Sequence, residues 1–227
     1  HPSLSRNQIP LAVKAGAILI TTLAFYWQDL IILANEAIQS EFMTHILAIP
    51  FLFAYLLYRK RKMVKAAIPF KTTKTIPNRT IFSNTTVGAI LCLLAILIYW
   101  YGSYTFIPLE YHMASLIIFV IGCVLIMFNT FTLRVLAFPI AFLIFLIPPP
   151  LEITYALGST MSVASSQAAY TILKAIGLPV SLSEQYQTPV IILEKSNSPP
   201  LTFAVDIACS GIYSLIGFLI FAIFIAY

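Results

Sequence analysis

Apolar residues run along this chain in blocks as long as a bilayer crossing, separated by short breaks rich in polar residues or proline. A hydrocarbon layer about 30 Å thick takes about 20 apolar residues in helical form. Blocks of that kind cover residues 11–33, 42–58, 87–107, 111–128, 133–147 and 207–227 and predict six transmembrane helices. The third carries Trp100 and Tyr101 near its far end, where aromatic belts sit. The fifth is short, contains Pro139 and stops at Pro148-Pro149-Pro150, so it has to tilt or be completed by its neighbours.

Residues 148–206 break the pattern. Pro148-Pro149-Pro150 cannot continue a helix. From Ile153 to Ile176 the chain is helical in character but crowded with Ser159, Thr160, Ser162, Ser165 and Ser166, which suits close helix packing or a helix lying along the outer face. Gly177-Leu178-Pro179 ends it. Residues 188–193 and 201–205 then read as two short strands around a turn-rich loop at 194–200. The expected fold is therefore an all-α polytopic membrane protein: at least six transmembrane helices, with a short extracytoplasmic helix and a β-hairpin before the last one. It forms a single membrane domain over residues 1–227. The chain opens on His1 and stops at Tyr227 inside an apolar run, so it reads as incomplete at both ends.

Composition and charge sharpen this picture. Hydrophobic residues make up 60% and charged residues 9% of the 227, too few charges to cover a water-facing surface. Disorder is excluded on the same ground. The net charge of +5 is no nucleic-acid signal, because the charges segregate. Residues 59–79 hold eight Lys and Arg with no acid among them, which places that segment in the cytoplasm. Topology alone accounts for the run, without a lipid-headgroup role. Counting spans puts Arg6 and Arg134 inside too. Glu36, Glu41, Glu110, Glu152, Glu184, Glu194 and Asp206 fall outside, with Lys174 and Lys195 as the outside bases. Lys14 snorkels from the cytoplasmic start of the first span, and Asp29 lies near its outer end.

The candidate chemistry sits at the start of the sixth span, in Val205-Asp206-Ile207-Ala208-Cys209-Ser210-Gly211-Ile212. Asp206 is placed to cap the helix, which puts Cys209 at its third position. Free N–H groups and the positive end of the helix dipole favour the thiolate there. The same N–H groups, with Ser210 and Gly211 following, suit a developing oxyanion, and Gly211 allows close approach of a substrate backbone. Asp206 opposes this, because a nearby carboxylate disfavours the thiolate, so a basic partner is required. A cysteine in a membrane helix is more often a small buried hydrophobe. Cys92 and Cys123 lie deep in apolar spans and keep that ordinary role. Three scattered cysteines make neither a disulfide framework nor a zinc site. No metal, cofactor or nucleic-acid partner is expected.

The stretch from Leu133 to Phe221 resembles the exosortase/archaeosortase family of polytopic membrane transpeptidases. Three features carry the resemblance: the Phe-Leu-Ile-Phe-Leu-Ile-Pro-Pro-Pro helix end at 142–150, the Ser-rich helix leading to Ile172-Leu173 and Gly177-Leu178-Pro179, and Ala208-Cys209-Ser210-Gly211-Ile212-Tyr213-Ser214-Leu215, which looks like the family's nucleophile motif. The Ile-Pro-Pro-Pro end, Ser165-Ser166-Gln167-Ala168-Ala169-Tyr170, and Tyr213 where bacterial members often carry Arg lean toward an archaeosortase, of thaumarchaeal type. The resemblance implies a membrane-embedded cysteine transpeptidase with Cys209 as catalytic residue and backbone support from Ser210 and Gly211. Its partners are a secreted protein bearing a C-terminal tripartite sorting signal and a membrane lipid acceptor. The family's further functional residues, an Arg and then a His or Arg, come on helices after the Cys, whereas this chain stops 18 residues beyond Cys209 (227 − 209). The fragment is expected to be inactive alone. His45 and His112, near outer ends of spans, are expected to be interfacial or packing residues, and Arg134 lies on the wrong side.

The rival from another class is a non-enzymatic polytopic transport or scaffold subunit. A coupled carrier needs ionisable groups near the bilayer midplane, and the spans offer almost none. An intramembrane serine protease is disfavoured because Gly-x-Ser-x-Gly is missing, and a metalloprotease because there is no His-Glu-x-x-His.

Overall fold

The computed structural model describes residues 9–67, 84–185, 188–194 and 199–227. Arg6, Lys71, Lys74, Arg79 and Lys195, used above to argue orientation, lie outside the described residues. The chain divides into two compact units, His1–Pro148 and Pro149–Tyr227.

The first unit is helical. It comprises α1 (Ile9–Gln39), a 3₁₀ segment (Glu41–Ala48), α2 (Ile49–Ala67), α3 (Asn84–Gly102), α4 (Pro108–Met127), α5 (Thr130–Phe142) and a 3₁₀ turn (Leu143–Leu146). Pro108 starts α4 at the position where a missing N–H costs nothing. Asn129 caps α5 by accepting from the Thr132 N–H at 2.7 Å. Among the described residues, three helices are long and apolar enough to cross a membrane: Val13–Gln39, Asn84–Gly102 and Pro108–Met127. Large side chains such as Ile20, Leu93, Leu97 and Trp100 point outward from them, as lipid-facing surfaces require.

The remaining expected spans depart from single helices. The block at 42–58 splits into the 3₁₀ segment and α2, whose first turn tolerates Pro50. Lys and Arg are good helix formers, so α2 runs on through Arg59-Lys60-Arg61-Lys62 to Ala67 and part of the expected basic loop is helix. The block at 133–147 is α5 with Pro139 inside it, tightening to the 3₁₀ turn after Phe142. The first helix also outlasts Leu33, so Asp29 is an interior residue of α1 and not near its end.

α3 and α4 form the tightest helix pair, an antiparallel hairpin. Glycine makes it possible. A Cβ on Gly122 would sit 2.6 Å from Cys92 Sγ and 2.8 Å from the Gly88 carbonyl oxygen, and one on Gly88 would meet the Gly122 carbonyl oxygen at 2.8 Å. Without a hydrophobic drive between helices in lipid, such close backbone contact is a main source of association. α1 lies against α4, with Tyr26 fully buried and its hydroxyl 2.9 Å from Ser115 Oγ, and with Phe25 stacked on Phe119 at 5.8 Å.

The second unit holds α6 (Leu151–Ala175), β1 (Val180–Gln185), β2 (Thr188–Leu193), β3 (Leu201–Ala204), a 3₁₀ turn (Ile207–Ser210) and α7 (Ile212–Ala226). α6 starts directly after the prolines and ends in a Schellman motif: Leu178 N–H bonds to the Leu173 carbonyl, Gly177 N–H bonds to the Lys174 carbonyl, and Gly177 takes φ +88°. The expected hairpin is a three-stranded antiparallel sheet of order β1-β2-β3, with Val180 opposite Leu193 and Val190 opposite Ala204. The additional strand, Val-Ser-Leu-Ser-Glu-Gln, has only two apolar residues, so its alternation is too brief to read.

Replacing Gly122 with Val is expected to force α3 and α4 apart and cost about 1–3 kcal/mol. The check is the thermal midpoint of the detergent-solubilised chain, with Gly16→Val as the control, since nothing lies within 4 Å of a Cβ there. Equal midpoints would contradict the close-packed pair.

Candidate active site

The segment carrying Cys209 is a junction between strand and helix. β3 leads through Val205 and Asp206 into the 3₁₀ turn Ile207–Ser210, Gly211 follows, and α7 begins at Ile212. The expected cap is present: Asp206 Oδ1 accepts from the Ile207 N–H at 2.7 Å. What it caps differs from expectation. Cys209 is the third residue of a four-residue 3₁₀ turn and not of the long apolar helix, which starts three residues later. The break falls at Gly211, whose φ of +82° belongs to the left-handed region that a side chain disfavours. Nothing lies within 4 Å of a Cβ built there, so conformation alone demands the glycine. The Cys209 backbone is placed by the turn, while its side chain lies outside the described residues. Ser210 is buried, and its hydroxyl donates to the Ile207 carbonyl at 2.6 Å, closing the turn on itself.

α6 holds this junction in place. Thr154, Gly158, Ser162 and Ser166 recur every fourth residue and are all buried, making one small-residue face. Gly158 takes Ile207 against its backbone, with no room for a Cβ. Ser162 donates a short hydrogen bond to the Val205 carbonyl. The residues on both sides of Asp206, Val205 through its carbonyl and Ile207 through its side chain, are thus held by one helix face. On the sheet side, Val205 N–H donates to the Pro189 carbonyl at 2.9 Å. Ser159 and Thr160, prominent in the sequence, instead point outward and bond back to the Ala156 carbonyl.

The other candidates sort differently. Cys92 and Cys123 are half-buried on the facing sides of α3 and α4, with Cys92 Sγ 3.9 Å from the Phe119 carbonyl oxygen. Arg134 is exposed on α5, and His45 is half-buried in the 3₁₀ segment of the first unit. Of the two roles expected for His112, interfacial or packing, it takes the packing one: it is 7% exposed and bound on both ring nitrogens. Nδ1 lies 2.7 Å from Asp29 Oδ1, Nε2 lies 3.1 Å from Ser103 Oγ, and the ring stacks on Tyr99 at 3.9 Å. This cluster is not legible in the sequence because Asp29 lies 83 residues from His112 in the chain. The available signal was Asp29 itself, an acid inside an apolar helix. Among the described residues, no group of three or more His, Cys, Asp or Glu side chains is placed to hold a metal ion.

Because Gly211 is constrained by its dihedral and not by space, Gly211→Asn is expected to be tolerated far better than Gly211→Val, the latter costing about 1–2 kcal/mol or more. Comparing the thermal midpoints of the two purified variants checks this, and indistinguishable values would sink it.

The comparisons with known proteins bear on the whole of this arrangement. No curated protein and no solved structure matches the chain. The family model described as transmembrane exosortase (Exosortase_EpsH) matches residues 17–227, which takes in α1 from its third turn onward and everything after it, including the capped turn at Cys209. A match across nearly the entire length, through both compact units, shows that this chain belongs to the transmembrane exosortase family.

Proposed function

We propose that this chain is a membrane-embedded cysteine transpeptidase that removes C-terminal sorting signals from secreted proteins and passes the new C-terminus to a lipid acceptor. The observation that carries the reading is the Ala208-Cys209-Ser210-Gly211 turn: in a chain of the exosortase family, it sits on a capped, rigidly gripped junction between a strand and an apolar helix. A nucleophile on such a junction keeps its backbone still while the reaction proceeds.

The chemistry follows two-step nucleophilic catalysis. The Cys209 thiolate attacks the carbonyl carbon of the peptide bond at the sorting motif. The new S–C bond forms, the C–N bond breaks, and the departing amine takes a proton. The thioester that remains is attacked by an amine on the acceptor. A new C–N bond forms, the C–S bond breaks, the acceptor nitrogen gives up a proton that balances the one taken by the departing amine, and the thiolate is regenerated. Backbone N–H groups of the Ser210 and Gly211 region supply hydrogen bonds to the oxyanion. Ser210 contributes through its backbone, because its hydroxyl already serves the Ile207 carbonyl.

The topology belongs to the same reading. With six crossings and the basic segment 59–79 in the cytoplasm, Cys209 lies on the extracytoplasmic side, where a translocated sorting motif arrives. The substrate's own apolar segment is expected to lie against small-residue faces of the enzyme.

In the complete protein, Cys209→Ala and Cys209→Ser are each expected to abolish processing of a tail-signal substrate in cells while membrane insertion persists. The readout is the substrate's gel mobility, and normal processing by Cys209→Ala refutes the nucleophile assignment. For orientation, a membrane-impermeant maleimide is expected to label Cys209 in intact cells and to spare Cys92 and Cys123. Labelling that appears only after permeabilisation overturns the proposed sidedness.

A further inference from the structure

The helical first unit contains an acid–imidazole–hydroxyl chain that the transpeptidase chemistry does not use. Asp29 comes from the middle of α1, His112 from the second turn of α4, and Ser103 from the link between α3 and α4. Asp29 is 5% exposed and His112 is 7% exposed, while Ser103 faces outward. Asp29 Oδ1 stands 2.7 Å from His112 Nδ1, and His112 Nε2 stands 3.1 Å from Ser103 Oγ. An ionisable pair inside a membrane helix bundle is expensive and by default points to function.

The directions of these bonds are set by chemistry. With Asp29 ionised and the ring neutral, Nδ1 donates to Asp29 and Nε2 is the acceptor, the arrangement a general base requires. In that tautomer Ser103 donates to Nε2. Its single proton has a second acceptor in the Tyr99 carbonyl, also at 3.1 Å. The imidazole plane is fixed by stacking on Tyr99, with 15° between the rings. The approach of Ser103 to His112 depends on Gly102, where a Cβ would lie 3.2 Å from His112 Cδ2 and closer still to Tyr111. The second carboxylate oxygen, Asp29 Oδ2, is buried without a hydrogen-bond partner. The carboxylate as a whole, whose charge both oxygens share, would stabilise an imidazolium through the contact at Nδ1.

We propose that Ser103 is a second nucleophile of this chain, with His112 as its base and Asp29 as the positioning residue, and that it takes the acyl group of an apolar ester or thioester. Ser103 Oγ attacks the acyl carbon and its proton passes to His112 Nε2. The new C–O bond forms, the bond from carbon to the leaving sulfur or oxygen breaks, and His112 returns the proton to the leaving thiol or alcohol. No oxidant or reductant is involved. Esters and thioesters fit because their leaving groups depart far more readily than an amide nitrogen. Around the turn, Trp100, Tyr101, Tyr104 and Phe106 are exposed, an aromatic composition that membrane–water interfaces favour. An acyl chain held in the bilayer presents its carbonyl at that depth.

The test is covalent labelling of the full chain in detergent micelles by an alkyl fluorophosphonate, with the modified residue located by peptide mass spectrometry. Ser103 is expected to react about a hundredfold or more faster than the exposed Ser159 and Ser214. Ser103→Ala should abolish that label, and His112→Gln and Asp29→Asn should each slow it at least about tenfold. Cys209→Ala should leave it unchanged, so failure here is separate from failure of the transpeptidase reading. A purely structural clamp would lower the thermal midpoint of the His112 and Asp29 variants with no selective reaction at Ser103. Wild-type reactivity at Ser103 no greater than at Ser159 overturns the proposal, and this comparison needs no variant to fold.

Discussion

In a bilayer, a polar group buried away from water has only the chain itself to satisfy it. That constraint organises both halves of this protein. In the first, the Asp29 carboxylate inside α1 is tolerated because His112 meets it at 2.7 Å, and this contact ties α1 to α4 and, through Ser103, to the turn ahead of α4. In the second, the α6 hydroxyls that face inward find carbonyl partners: Ser162 that of Val205, Ser166 that of Val163, Thr154 that of Pro150. Leaving a buried polar group without its partner typically costs about 1–3 kcal/mol, so such contacts favour one geometry even where they add little net stability.

Small residues are the second organising device, and the two units use them differently. Between α3 and α4, Gly88 and Gly122 bring two backbones into direct contact. Along α6, the stripe Thr154, Gly158, Ser162, Ser166 receives an irregular segment instead of another helix. Irregular backbone at or near a membrane must be bonded by its surroundings, and a helix face of hydroxyls and glycine does this well. The segment so held is the one that carries Cys209. A mobile loop would place a nucleophile less reproducibly than this junction, fixed by the Asp206 cap, the Ser162 bond and the left-handed Gly211.

The dipole argument for Cys209 changes character once the turn is seen. Four residues of 3₁₀ geometry carry little macrodipole, and α7 begins only after Gly211. What remains near the cysteine is a cluster of backbone N–H groups at a capped turn, with Asp206 spending its oxygen on Ile207 N–H. On the proposed transpeptidase reading, activation of the thiol rests on a basic group placed from elsewhere.

Much of this was legible in the residues alone, and for a reason. Apolar block length, proline stops and charge content act locally, so they announced a helical membrane protein, the break at 148–150, the glycine end of α6 and the cap at Asp206. The Ala208-Cys209-Ser210-Gly211 run was likewise visible as a linear motif. Tertiary structure alone decided the rest. It selected Ser162 over Ser159 and Thr160 by choosing which face of α6 turns inward, and it added β1, whose two apolar residues gain meaning only from pairing with β2. It also brought together Asp29, Ser103 and His112, which lie 83 residues apart at their widest, because α1 and the α3–α4 hairpin close on each other. Periodicity reports what a segment does with its own neighbours. Which distant side chains share one buried space depends on how the helices meet, and no stretch of sequence carries that by itself.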